Sequence, residues 1–316
     1  MTGAFGMKEQ KSEVLGIDIG GTHMRFGLVD SGYGLTAFED LSTREVFSRD
    51  DDPVARLAAV VRDYSARQLG GALPQAVSIG CPSTISKDRS VVVQTPNIPC
   101  IPDNFPLVEK LGAALGIPVF VNRDVNDLLL FDLVDLAVTA QDCVVGIYFG
   151  TGVGNAILMN GKLMLGKNGV AAELGHLPVH GNRRVCGCGN HGCLETIVSG
   201  VALERLQREH FPQTHISRLF AQHADAAPIS DFVEGMAETV ATEVNLFDPD
   251  CVILGGGLLQ MTGFPRAALE RAVHEYARKP YPEQNLDIRY SRPNQRNGVI
   301  GAAIYAYKRM ADPAYL

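Results

Sequence analysis

No apolar run in this 316-residue chain approaches the roughly 20 residues that cross a bilayer as a helix, which argues against a membrane role. Residues 1–13, MTGAFGMKEQKSE, lack the hydrophobic centre of a secretion signal, and the expected location is the cytoplasm. Positive charge is short as well: 28 Lys and Arg stand against 35 Asp and Glu, a net charge of −7, and the basic residues are scattered instead of striped. A nucleic-acid partner therefore has no electrostatic footprint. Seven cysteines make no even framework, and in an unexported chain they point to a reducing compartment, where Cys81, Cys100, Cys143 and Cys251 read as small buried hydrophobes. No Gly-Lys-Ser/Thr follows a glycine turn, so there is no Walker A loop, and no low-complexity linker divides the chain.

What is present is an α/β pattern. Val14–Asp30 reads as two β-like runs around Gly20-Gly21-Thr22, and Cys143–Gly166 repeats the plan around Gly150-Thr151-Gly152. Two related hairpins imply a duplicated domain. Between them the spacing of apolar residues predicts a helix near Pro53–Leu69 stopped by Gly70-Gly71, a strand near Ala76–Gly80, a helix near Leu107–Leu115 and a strand Ile117–Val121. Later come a helix near Asp231–Phe247, a strand Cys251–Leu254, a triple glycine, and helices near Pro265–Lys279 and Val299–Met310. The expectation is two α/β domains with mixed sheets, spanning 14–121 and 122–298, with the last helix, 299–311, packed on the first. A ligand cleft is expected between the domains.

From His176 to Cys193 the chain reads HLPVHGNRRVCGCGNHGC, placing one imidazole and three thiols, His176, Cys186, Cys188 and Cys193, in one glycine-rich loop. Four such ligands complete a tetrahedral Zn²⁺ and leave no position for water, so the ion would be structural. A disulfide or a scatter of buried thiols is the alternative, but Cys186 and Cys188 are too close to bridge comfortably and the three thiols are odd in number. Folding the loop around a metal would bring Glu173 and Glu195 together, apart from the glycine turns.

Three glycine turns end apolar strands: Gly20-Gly21-Thr22, Gly150-Thr151-Gly152 and Gly255-Gly256-Gly257. Glycine lets a backbone approach phosphate oxygens where a Cβ would collide, although a hairpin turn alone also asks for glycine. Asp18, at the end of the first strand, reads either as a carboxylate that holds a Mg²⁺-bound water near phosphates or as a turn cap. Asp124 opens the helical pattern DVNDLLLFDLVDLAV, where the helix dipole would keep it ionised and free to accept a proton; a plain N-cap helped by Asp127 is the other reading.

These residues together resemble the ROK family of sugar kinases, repressors and related open reading frames, which has an actin-like ATPase (ribonuclease H-like) fold. The resemblance spans nearly the whole chain through Asp18-Ile-Gly20-Gly21-Thr22, Gly150-Thr151-Gly152-Val-Gly154, Glu173-Leu-Gly175-His176, Cys186-Gly-Cys188 with Cys193-Leu-Glu195, and Asp248-Pro-Asp-Cys-Val-Ile-Leu-Gly255-Gly256-Gly257. It implies that the first two turns hold ATP phosphates, that the triple glycine lies beside the adenosine, and that Asp124 is the catalytic base acting on a sugar's primary hydroxyl. It further implies sugar contacts from Asn97, Glu173, His176 and Glu195, and a homodimer. The expected partners are MgATP and a free hexose. Arg123 stands where many members have asparagine, and Pro82-Ser83 where they have Pro-Gly. Arg123-Asp-Val-Asn, Ser86-Lys87-Asp88, Thr95-Pro-Asn and Asn245-Leu-Phe-Asp-Pro-Asp resemble the D-allose kinases of the family, so Arg123 joins the expected sugar contacts and D-allose is the expected substrate. Ala172 and Asn155 replace common family glycines, for which small local adjustments are expected. Glucose, fructose and N-acetylmannosamine kinases share the motifs. A sugar-responsive repressor is disfavoured, because no helix-turn-helix pattern is found before Val14 and the chain is acidic.

Overall fold

The computed structural model describes residues 13–48, 52–95, 98, 100–139 and 142–315. The chain divides into two compact units. The first begins with strands β1 (Val14–Ile19), β2 (His23–Val29) and β3 (Leu35–Ser42), followed by the short helix α1 (Thr43–Val46) and by α2 (Pro53–Gln68). Asp52 caps α2 by accepting the Val54 and Ala55 N–H groups at 2.9 and 3.2 Å, and Pro53 sits at the first helical position, where a missing N–H costs nothing. After β4 (Ala76–Cys81), a small hairpin of β5 (Thr84–Ile85) and β6 (Val92–Gln94), and α3 (Leu107–Leu115), the chain enters β7 (Val119–Arg123) and helix α4 (Asp124–Asp135). The sheet order is β3-β2-β1-β4-β7, with β1 to β3 antiparallel and β1, β4 and β7 parallel. Leu15, Ile17, Phe26, Val61, Ile79 and Val121 fill its core.

The second unit repeats this arrangement. Strands β8 (Cys143–Phe149), β9 (Val153–Met159), β10 (Lys162–Leu163), β11 (Cys251–Gly255) and β12 (Ile288–Tyr290) stand in the order β10-β9-β8-β11-β12, again three antiparallel strands continued by parallel ones. Helices α5 (Glu195–Val198), α6 (Gly200–His210), α7 (Leu219–His223), α8 (Ala227–Phe247) and α9 (Arg266–Tyr276) lie between β10 and β12 in the chain. Every residue of β8 and β11 is buried, as expected for central strands covered on both faces. The last helix, α10 (Asn297–Ala311), returns to the first unit. Gly16 makes this possible, because a Cβ there would fall 2.1 Å from the Val299 carbonyl.

Several boundaries differ from the sequence expectations. Strand β7 starts at Val119 instead of Ile117, since Pro118 has no N–H for the ladder, and it runs on to Arg123. Helix α9 stops at Tyr276, not Lys279, consistent with the bias against helical geometry before Pro280. Helix α8 starts at Ala227 with Pro228 in its first turn, four residues before Asp231. The units part between Phe131 and Asp132, inside α4, ten residues beyond the break expected after 121. Asn122, Asn126 and Asp127 hydrogen-bond to one another within the first unit, whereas Asp132 accepts hydrogen bonds from Tyr148 and Ser291 in the second. No helix of the described residues is long and apolar enough to cross a membrane.

Candidate active site

In the first unit the parallel strands deliver their polar residues to one end of the sheet. Asp18, Gly80 and Asn122 share a register row across β1, β4 and β7, and Arg123 and Asp124 follow directly. Asp124 is only half-buried by surface but ringed by protein, and burial pushes its carboxyl above the ordinary value. The Val125 N–H, donated to Oδ1 at 2.8 Å, and the Arg123 charge pull the other way. Desolvation thus outweighs the helix terminus that was expected to hold Asp124 ionised. Asp18 is raised to about 7, first by burial and then by the Asp124 charge, with Arg25, its cross-strand neighbour on β2, opposing.

Asp127 is no helper cap. It is fully buried, and its Oδ1 accepts the Asn122 amide at 2.8 Å, while Asn122 Oδ1 accepts the Asn126 amide at 3.0 Å. This ladder ties the end of β7 to the first turn of α4. Sequence reasoning passed over it, although an acid inside the apolar run after Asp124 was the available signal. Asn97 lies outside the described residues.

The Gly20-Gly21-Thr22 turn closes with the Gly20 N–H donated to the His23 carbonyl at 2.8 Å. Thr43, at the start of α1, donates its hydroxyl to the Gly20 carbonyl at 2.7 Å and its N–H to the Thr22 carbonyl at 2.9 Å. The second turn is secured alike: Gly150 donates to the Gly152 carbonyl, and the Gly200 and Val201 N–H groups of α6 take the Gly150 and Thr151 carbonyls at 2.7 and 3.3 Å. With the carbonyls bound to helices, the N–H groups of Gly21 and Thr22, and of Thr151 and Gly152, have no acceptor among the described residues. Each turn is therefore a main-chain receptor suited to phosphate oxygens. Of the triple glycine, Gly256 (φ +97°) is dictated by packing, because a Cβ would lie 2.3 Å from the Phe149 carbonyl oxygen; Gly255 likewise lies against the Tyr148 ring, and Gly257 faces open space.

The second unit also brings together the residues expected on the sugar side and at the metal. One ligand atom each from His176, Cys186, Cys188 and Cys193 lies within 4.8 Å of the others. Cys188 and Cys193 sulfurs are 3.7 Å apart, and Cys186 Sγ is 3.6 Å from His176 Nδ1. These two of the six edges match a zinc tetrahedron with ordinary Zn–S and Zn–N bonds, and the donor set of three thiols and one imidazole suits the ion. His176 Nε2 faces away, 3.8 Å from Glu173. Glu195 accepts the Cys186 thiol at 2.9 Å and stands 3.7 Å from His176 Nδ1. Its Oε2 also lies 2.7 Å from where a Cβ on Gly152 would be. The Glu195 carboxylate and the second glycine turn are therefore neighbours, contrary to the expectation that they lie apart.

The ROK family profile matches residues 14–309. The chain belongs to the ROK family. A glucokinase of Thermotoga maritima is 29% identical to it over 327 residues, covering 95% of this chain and 99% of its own. An N-acetyl-D-glucosamine kinase of Escherichia coli O1:K1 is 30% identical over 308 residues, 91% and 97% of the two chains. The ROK glucokinase of Streptomyces griseus, solved with glucose and AMPPNP, superposes with a TM-score of 0.74 at 25% identity over 92% of this chain and 98% of that one. The ROK fold is the actin-like ATPase fold, α/β with mixed sheets, and the matching strand orders of the two units follow its duplicated plan.

Proposed function

We propose that this ROK protein is an ATP-dependent hexose kinase acting on the 6-hydroxyl of a free aldohexose, with D-allose as the preferred sugar. The observation that carries this reading is Asp124, a carboxylate made more basic by burial yet held by the Val125 N–H, at the head of a helix beside the strand ends. Asp124 takes the proton of the 6-hydroxyl while the hydroxyl oxygen bonds to the terminal phosphorus of ATP and the bond to the ADP oxygen breaks. The Gly20–Thr22 and Gly150–Gly152 turns bind phosphate oxygens through main-chain N–H groups, and Gly255–Gly257 flank the adenosine. Mg²⁺ would supply neutralising charge to the phosphates, and Asp18 would help to hold it. Asn97, Arg123, Glu173, His176 and Glu195 hold the sugar, and His176, Cys186, Cys188 and Cys193 would hold a structural Zn²⁺ that would keep the His176 ring oriented. The names of the relatives, kinases of glucose and N-acetyl-D-glucosamine, support a hexose acceptor.

Arg123 supports allose. Allose and glucose differ only at C3, and a long forked donor at the end of β7 reaches where an asparagine amide does not. Where substrate binding desolvates such a donor, a sugar that leaves it unpaired loses about 1–3 kcal/mol, up to roughly a hundredfold in kcat/KM. A coupled ATPase assay over a panel of hexoses is expected to give a higher kcat/KM for D-allose than for D-glucose, with the gap narrowing in Arg123→Asn. Equal or better use of glucose by the wild type defeats the allose assignment, whereas an unchanged ratio in Arg123→Asn defeats only the role of that side chain.

A further inference from the structure

Asp127 has no part in the chemistry assigned above, yet it is the most thoroughly enclosed of three carboxylates gathered at the strand ends. Its side chain is 0% exposed. Oδ1 has the Asn122 amide as donor, but Oδ2 has no hydrogen-bond partner and points at β4, 2.5 Å from where a Cβ on Gly80 would sit. On its other side α10 closes in, since a Cβ on Gly301 would meet the Asp127 carbonyl at 1.9 Å. The charged and titratable groups around it are Asp18 on β1, Cys81 at the end of β4, Arg89 in the β5–β6 turn, Asp124 on its own helix, Tyr305 on α10 and Tyr315 beyond it. Two of these are acids, and among the described residues the three carboxylates do not converge as a metal site does. An ionised carboxylate with one oxygen unpaired in such a place is strongly disfavoured.

We propose that Asp127 is a positioning residue for Asp124, a carboxylic acid that keeps its proton and, through the Asn122–Asn126 ladder, fixes the corner between β7 and α4 on which Asp124 stands. This rests on Asp124 being the catalytic base. Neutrality is part of the role. Burial foremost, and then the charges of Asp18 and Asp124, push its carboxyl well above the ordinary value, against the Asn122 donor and the Arg89 charge. An ionised Asp127 would add a third negative charge where an anionic phosphate must arrive.

The test has three parts. Asp127→Leu, which cannot accept from Asn122, is expected to lower kcat by about 10–100-fold with a smaller effect on KM, the cost of a slightly misplaced base. Asp127→Asn keeps an acceptor for Asn122 without an ionisable group; it should recover most of that loss and keep the wild type's kcat–pH profile up to pH 8. A profile displaced below pH 8 in Asp127→Asn, or equal losses in the asparagine and leucine variants, overturn the proposal. Should the variants fail to fold, carboxyl NMR of the wild type labelled with ¹³C-aspartate decides it: a protonated aspartate at pH 8 is expected, and the absence of any is fatal. That spectrum does not depend on turnover, so a failure of the kinase reading, seen as absent activity on every hexose, is told apart from a failure of this one.

Discussion

At single residues, burial acts on Asp124 and Glu243 alike, but their neighbours give the shift different meanings. Asp124 has a backbone donor and a guanidinium beside it, so it stays available as a base. Asp124→Asn is expected to preserve the fold and sugar binding and to lower kcat by about 10²–10⁴. Near-normal turnover in a folded variant removes Asp124 from the mechanism. Glu243, on α8, is 4% exposed, its Oε2 has no partner, and burial alone raises its carboxyl from 4.5 to about 7. Since the folded state holds this proton more tightly than the unfolded one, Glu243 costs nothing below about pH 4.5 and progressively destabilises the fold as pH rises towards 7. Glu243→Gln should therefore raise stability at pH 8 by on the order of 1–3 kcal/mol and have little effect near pH 4. Urea unfolding at both pH values checks it, and an equal change at the two rules out a charge penalty.

Among the elements, the cysteine loop is the one that a metal assay tests most directly. Protein purified without chelator should contain one Zn²⁺ per chain, and elemental analysis showing none rejects the assignment. Cys186→Ser should raise the KM for sugar by about tenfold. The KM for ATP should rise less, because Glu173 and Glu195 lie beside His176 of the cluster while the glycine turn meets Glu195 at Gly152. Equal effects on both would mean that the loop props the turn and the sugar side alike. The loop could be read from the sequence because its four ligands lie within eighteen residues, as could the hairpins, whose glycine turns sit between their own strands. Asp127 could not, because its burial is made by Gly80 and Gly301, which come from β4 and α10 and meet it only in the fold. The same holds for the break inside α4, where the helical pattern runs on without interruption while Asp127 and Asp132 find partners in different units. No element was expected over α6, whose pattern opens on a glycine directly after the cysteine-rich loop.

At the level of the whole molecule, duplication explains why so much of the architecture was legible: one hairpin-and-turn pattern, once recognised, predicts its second copy. Both five-stranded sheets have the same strand order, and in both a helix start grips the turn carbonyls, Thr43 in one and Gly200 with Val201 in the other. The expected strand and helix ends were off by a few residues where proline sets the limit, which local periodicity does not report. The grip on the carbonyls has an evolutionary consequence. An anion receptor made of main-chain amides has few side chains to lose, so sequence drift that keeps each helix start seated on its turn leaves it in working order. On the function proposed above, residues on the sugar side, such as Arg123, would then be free to change and to redirect the protein to another hexose.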